Sequence, residues 1–320
     1  METAFVLGAG LGTRLMPLTS ERPKPLVPVF GKPLITFALD HLLAAGVKRF
    51  VINTHHKPEA YTRLLGMMDG RATYRGHELL FSHEDVLMET GGGILQAHSL
   101  IGDQPFLVHN GDVLADLDLR ALIESHHAGG HLATLGLRSS GGPLHVNWDA
   151  SSGLVRDIRG KLGFGDLPPY LFTGVYVLSP EIFDFIPPGE IVSITPILLE
   201  RIRQGSKVGG VVLDGGTWFD LGTITSYLEV HRLFSSPTAC LSYLPRSEWP
   251  HMQAPSATID PSATLKGFHS LAEWTQVYAS ATLEDSILWE GASVGEGVHL
   301  RNCVLRENQH ADRDAEGVAF

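Results

Sequence analysis

From Ile259 onward, apolar residues recur at every sixth position, through Leu265, Leu271, Val277 and Leu283, and after one irregular step again at Leu288, Val294 and Leu300. A helix repeats its buried face about every 3.6 residues and a strand every second one, so this period belongs to neither. It suits a parallel β-helix, in which each flat face turns one apolar side chain inward and successive coils stack. Small residues keep the same register in Pro261-Ser262-Ala263, Ala279-Ser280-Ala281 and Gly291-Ala292-Ser293, followed by Gly295 and Gly297. Residues 268–277 depart most from the pattern. So short a stack leaves its end coils uncovered, and it is expected to dock on the preceding part of the chain or on another subunit.

Ahead of the repeat the texture is that of a linker, with Ser235, Ser236 and Pro237 and then the stretch from Pro245 to Pro255. The expected organisation is a first domain over 1–235, a linker over 236–254, the hexapeptide-repeat β-helix over 255–308 and a polar tail over 309–320. With 320 residues, 43% hydrophobic and 18% charged, the chain can bury the core of one large and one small domain. A formal net charge of -11 argues against nucleic acid or an anionic membrane as partner, because either needs a broad basic field. Phosphate groups must then be met by a few placed cations. Glu2 and the early glycines interrupt any signal sequence, no apolar run reaches membrane-spanning length, and Cys240 and Cys303 form no disulfide or zinc pattern. A cytoplasmic location is the expectation.

The first domain alternates strand and helix. The apolar run Thr3–Leu7 reads as a buried strand entering a glycine-rich turn. Gly31, Lys32 and Pro33 are expected to open a helix with Leu34, Phe37, Ala38, Leu42 and Ala45 on its apolar face and Gly46 as its stop. Strands at 50–53, 78–82 and 105–109 alternate with helices at 58–68 and after Gly93, an α/β sheet pattern. Runs at 132–137, 154–158 and 171–178 follow one another without helices, so antiparallel strands extend the sheet, and helices at 192–203 and 223–234 complete the domain.

The chemistry starts where the first strand ends. Leu7, Gly8, Ala9, Gly10, Gly12 and Thr13 offer backbone N–H groups that wrap phosphate oxygens without Cβ obstruction, and Arg14 adds a fork-shaped cation. A glycine turn of this kind is shared by several fold classes. A dinucleotide-binding domain needs a small residue where Thr13 stands and an unbroken helix after it, but Pro17 falls inside that helix, at a cost of about 3 kcal/mol. No Gly-Lys-Ser/Thr closes the loop as a Walker A motif would. Farther on, Pro23 and Pro25 flank Lys24 and restrict the backbone that carries it, so its ammonium is held before substrate arrives. Asn110-Gly111-Asp112 lies past the carboxyl end of an apolar strand, where α/β sheets place ligands, and puts Asp112 well for a metal.

The run from Gly8 to Pro33, with Arg22-Pro23-Lys24-Pro25-Leu26-Val27-Pro28 at its centre, resembles the signature of the sugar-1-phosphate nucleotidylyltransferases. Glu89-Thr90-Gly91-Gly92-Gly93 is similar to the segment that passes nucleobase and sugar in that family, in the form carried by N-acetylmuramate-1-phosphate uridylyltransferases. Trp218-Phe219-Asp220-Leu221-Gly222 resembles its second metal motif, and Phe172-Thr173-Gly174-Val175-Tyr176 the strand lining its sugar pocket. The resemblance implies a Rossmann-like mixed α/β sheet with a small C-terminal left-handed parallel β-helix. It implies nucleotide binding by the loop from Leu7 to Arg14 with Glu84, Gly91 and Gly92, and sugar-phosphate binding by Lys24, Asn110, Gly174 and Lys161. Lys161 stands there because Arg156-Asp157-Ile158-Arg159-Gly160-Lys161 replaces the family's usual Glu-Lys-Pro, which leaves Arg159 as a second candidate.

Also implied are Mg2+ on Asp112 and Asp220 and a direct displacement, assisted by Lys24, Arg14 and Asp112, that joins a nucleoside triphosphate to a sugar 1-phosphate and releases pyrophosphate. The substrates expected are UTP or GTP with a hexose or N-acetylhexosamine-type 1-phosphate, and the β-helix is a surface for homo-oligomer assembly. A non-catalytic NDP-sugar-binding subunit is the first alternative, against which Lys24, Asp112 and Asp220 all stand in place. A hexapeptide-repeat acyltransferase is the second, against which this repeat is short and shows no evident catalytic histidine in a coil. The pairs His55-His56 and His126-His127 lack metal-ligand spacing.

Overall fold

The computed structural model describes residues Met1–Phe320. The chain divides into two compact units, one of Met1–Gly10 with Phe37–Phe219 and one of Leu11–Thr36 with Asp220–Phe320.

In the first unit a ten-stranded mixed sheet runs, edge to edge, through Val146–Asp149, Leu154–Ile158, Val208–Val212, Ala133–Arg138, Pro169–Leu178, Phe106–Asn110, Thr3–Leu7, Arg49–Thr54, His77–His83 and Arg71–Tyr74. Thr3–Leu7 pairs in parallel with both neighbours, while Pro169–Leu178 is antiparallel to Phe106–Asn110 and to Ala133–Arg138. Central parallel strands are covered on both faces and read as continuous apolar runs, as Ala4, Phe5 and Val6 do, each fully buried. Phe5, Val51, Val108, Leu135 and Tyr176 form one core with Ile94, Ile101 and Ile197 from helices. Each such side chain contributes about 1.5–3 kcal/mol by burial.

Three local expectations change. The helix expected to open at Pro33 begins at Ile35, because Lys32–Pro33 pairs antiparallel with Pro28–Val29 in a hairpin whose turn residues Phe30 and Gly31 both have positive φ, 48° and 76°. Gly91, Gly92 and Gly93 lie inside the helix Glu89–Gln96 instead of ahead of it. Glycine costs a helix about 1 kcal/mol per residue, yet a Cβ at Gly91 would meet Val192 O at 2.8 Å and one at Gly92 would meet Glu190 O at 2.8 Å, so close packing decides. The helix Leu119–Gly129, not expected from the sequence, is started by Asp118, whose carboxylate accepts from the N–H groups of Arg120 (3.1 Å) and Ala121 (3.0 Å).

In the second unit, Leu11–Thr36 carries two single-turn helices, Thr13–Leu15 and Lys24–Leu26, ahead of that hairpin. The helix Ile224–Ser235 is opened by a capping box of Thr223 and Ser226. Beyond it, short strands stack in parallel ladders. Thr258–Ile259, Gln276–Val277, Ser293–Val294 and His310–Ala311 form one, and Thr264–Leu271, Thr282–Leu288, His299–Arg301 and Ala315–Glu316 the other. Leu271, Val277, Leu283, Leu288, Val294 and Leu300 share one buried cluster, with Ile259 and Leu265 packed against it. The irregular stretch near Phe268 has a local cause. A register shift between Lys266 and His269, with Gly267 at φ 61°, buries Phe268 beside the Arg232 guanidinium, 5.5 Å from the ring centre. Residues 309–320, expected as a polar tail, supply His310–Ala311 and Ala315–Glu316 to the ladders, since Ala311 is buried in the stack and Phe320 N donates to Val304 O. No helix is long and apolar enough to cross a membrane.

His231 is fully buried in this unit, accepting from Phe30 N at Nε2 (3.2 Å) and donating from Nδ1 to Tyr227 O (2.9 Å). Accepting at Nε2 requires the neutral ring, whereas the Nδ1 bond survives protonation. Burial pushes its pKa down from 6.5 to about 4, only partly offset by the Tyr227 bond. Between those values the unfolded chain binds a proton that the folded unit refuses, so stability is complete above pH 6.5 and falls as the pH drops toward about 4. At about pH 5.5 this group is expected to cost roughly 1 kcal/mol. Urea unfolding at about pH 7.5 and 5.5 checks it: wild type should lose that much more than His231→Gln, and equal losses would rule the residue out.

Candidate active site

In the first unit the glycine run leaves the sheet between two parallel neighbours, with Leu7 opposite Asn110. Gly8 is clamped there. Its N–H donates to Asn53 Oδ1 (2.7 Å), its carbonyl accepts from Tyr61 OH (2.9 Å), and a Cβ would lie 2.5 Å from Asn53 O. Ala9 is buried, whereas Gly10 is exposed with open space at its Cβ position, so the backbone there is open to a ligand.

Asn53 continues the chain of bonds, donating from Nδ2 to Glu84 Oε1 (2.7 Å), and Glu84 Oε2 accepts from Met88 N (2.9 Å) ahead of the triglycine helix. Glu84, expected at a base edge, is fully buried with both carboxylate oxygens engaged, and Gly93 admits it, since a Cβ there would lie 2.4 Å from Glu84 Oε1. Its geometry is that of a brace between the glycine turn and the helix Glu89–Gln96. Asn53 and Tyr61 escaped the sequence reading. The available signal was a polar residue ending the buried strand Arg49–Thr54, and Asn53 is only 2% exposed.

Asn110, at the end of its strand, lies against Gly174, whose φ of 76° and missing Cβ make room for the amide: a Cβ would stand 2.6 Å from Asn110 Nδ2. Trp218 Nε1 donates to Thr173 O (2.8 Å) and fixes the bulge beside it. Asp112 is half-buried in the turn between Phe106–Asn110 and Val113–Ala115. Lys161 is exposed on a loop folded around buried Asp157, which accepts from the N–H groups of Lys161 (2.8 Å) and Leu162 (2.9 Å).

In the second unit Arg14, Lys24 and Asp220 come together. Lys24 Nζ lies 3.1 Å from Asp220 Oδ1 and Arg14 Nη2 3.7 Å from Asp220 Oδ2, so two cations bracket one carboxylate. Their exposures differ in a useful way. The Lys24 side chain is 7% exposed, Asp220 41% and Arg14 70%, so the lysine is fixed while the arginine can reach outward. Gly222 leaves the arginine room, for a Cβ there would lie 2.9 Å from Nη2. Gly12, at φ 64°, packs on Lys24, where a Cβ would come within 2.8 Å of the lysine Cβ, and Thr19 Oγ1 donates to Gly12 O (3.0 Å). Thr13 is exposed beside it.

A nucleotidyl transferase family model matches residues 3–236, which take in the glycine run, Lys24 and both aspartates. The N-acetylmuramate alpha-1-phosphate uridylyltransferase of Neisseria meningitidis serogroup B is 37% identical over 72% of this chain and 97% of its own length. The chain belongs to the sugar-1-phosphate nucleotidylyltransferase family. Similarity to other members extends farther along this nucleotidylyltransferase. The mannose-1-phosphate guanylyltransferase of Mycobacterium tuberculosis is 28% identical over 92% of the chain and 81% of its own length. The UTP–glucose-1-phosphate uridylyltransferase of Synechocystis is 27% identical over 86% of the chain and 71% of its own length. The parallel ladders of the nucleotidylyltransferase begin at Thr258, beyond the family match.

Proposed function

We propose that the enzyme transfers a uridylyl group from UTP to a hexose 1-phosphate of the N-acetylmuramate type. The observation that carries the reading is Lys24, a nearly buried ammonium 3.1 Å from a half-exposed carboxylate, in the motif that resembles the family signature. The uridylyl choice is supported by the 37% identity to the Neisseria enzyme, which is matched over almost its whole length. A second reading, guanylyl transfer to mannose 1-phosphate, is supported by the Mycobacterium enzyme's similarity over 92% of the chain, ladders included.

The roles follow from charge. An oxygen of the sugar phosphate attacks the α-phosphorus, one P–O bond forms as the bond to the β-phosphate oxygen breaks, and pyrophosphate leaves. The attacking oxygen is already ionised and needs no general base, so the protein's tasks are alignment and neutralisation of two anions. Lys24 holds its ammonium, kept in place by Asp220, toward the reacting phosphates. Arg14 and the amides of Gly8, Ala9, Gly10, Gly12 and Thr13 restrain the departing pyrophosphate. Gly91 and Gly92 keep the nucleotide side open, and Asn110, Gly174 and Lys161 serve the sugar phosphate. Glu84 acts through Asn53 on the glycine turn.

Asp112 and Asp220 are the proposed magnesium ligands. Each is a carboxylate that is not sealed from solvent, and Mg2+ commonly takes one or two carboxylates and completes its shell with phosphate oxygens and water. Bound there, the ion would add positive charge where negative charge accumulates. The ladders we read as a left-handed parallel β-helix. Pyrophosphate release, measured with the common nucleoside triphosphates against glucose, mannose, N-acetylglucosamine and N-acetylmuramate 1-phosphates under Mg2+, tests the reading. Release is expected to be highest with UTP and N-acetylmuramate 1-phosphate. A preference for GTP with mannose 1-phosphate would select the second reading, and no release with any pair would sink both.

A further inference from the structure

The Lys24 turn is held on both sides by residues from the far end of the chain. On one side Arg306 Nη1 donates to Ser20 Oγ (2.6 Å) and Glu21 Oε1 (3.1 Å), and the next residue, Glu307, accepts from Arg22. Arg22 is nearly out of solvent, its side chain 7% exposed and its guanidinium stacked 4.7 Å from the Trp289 ring centre. On the other side Tyr227 OH donates to Pro28 O and His231 accepts from Phe30 N. Trp289 ties the two sides together, its Nε1 donating to Tyr227 OH (3.0 Å).

We propose that Glu307 is a positioning residue for Lys24, through which the last coil of the ladder aligns the turn. The inference rests on the catalytic reading of Lys24. Glu307 sets a carboxylate against this deeply buried guanidinium, so replacing it weakens the electrostatic hold on Arg22 and lets the side chain move. Arg22 is separated from Lys24 by Pro23 alone, whose ring fixes φ, so that movement shifts the lysine backbone instead of dissipating in a flexible linker. The prolines restrict the turn locally, and the Arg22–Glu307 pair fixes where the restricted turn stands.

The test compares full-length wild type, Glu307→Ala and Glu307→Gln by two readouts at a temperature where all are folded by melting. The first is the rate at which acetic anhydride acetylates Lys24 without substrate, read by peptide mass spectrometry. The second is kcat and KM for the best substrate pair. Lys24 is expected to acetylate about tenfold faster in Glu307→Ala and kcat to fall about tenfold, with KM within about twofold and Glu307→Gln between the two. Unchanged acetylation, or faster acetylation with unchanged kcat, overturns the proposal. Should Glu307→Ala fail to fold, Arg306→Ala is read in the same way against Ser20 and Glu21. If even wild type turns over no substrate pair, the catalytic reading fails, and acetylation alone decides whether Glu307 orders the Lys24 turn.

Discussion

Lys24→Met is expected to lower kcat for nucleotidylyl transfer by about 10³-fold while leaving the protein folded. Methionine keeps the length and apolar packing of the lysine stem, so the substitution removes charge with little change of volume. Two phosphate groups then approach each other with one fixed cation fewer, in a turn whose position does not change. Relief of the buried ammonium's desolvation partly offsets the loss of its pairing with Asp220, 3.1 Å away, so the melting temperature should move little compared with the rate. Steady-state pyrophosphate release beside a thermal melt checks both halves. A kcat within about threefold of wild type would remove Lys24 from the chemistry.

Asp112→Asn is expected to cost about 10²–10³-fold in kcat, without recovery when Mg2+ is raised well above the concentration that saturates wild type. The asparagine keeps the size of the half-buried turn residue and one acceptor oxygen but removes the negative charge that draws a hard cation. An isothermal Mg2+ titration in the presence of nucleotide should show weaker binding in the same variant. Wild-type turnover at saturating Mg2+ would take Asp112 out of the metal role, and normal metal affinity with slow turnover would leave it a positioning residue.

Much of this arrangement was legible in local pattern. The glycine run after a buried strand, the prolines around Lys24 and the sixth-residue register each state a local backbone requirement, and Thr3–Leu7 and Leu154–Ile158 form as strands where the apolar runs lie. Where a local rule was applied without its neighbours it failed. Pro33 suits a helix start, but pairing with Pro28 claims it first. Triglycine reads as an opening loop, yet it is helical because the segment at Glu190 and Val192 leaves no space for side chains. Asp118 with the apolar spacing after it is a helix signal present in the sequence.

The sequence by itself determined which residues carry charge beside rigid or glycine-rich backbone, because φ restriction and missing Cβ atoms are properties of the residues themselves. Tertiary structure alone decided how those groups are shared out. It turned Glu84 inward to Asn53, brought Asp220 to Lys24 across 196 positions of chain, and set Glu307 against Arg22 across 285. Burial explains the difference: a buried polar or charged group must find a partner, and which partner it finds depends on chain packing that no local pattern records.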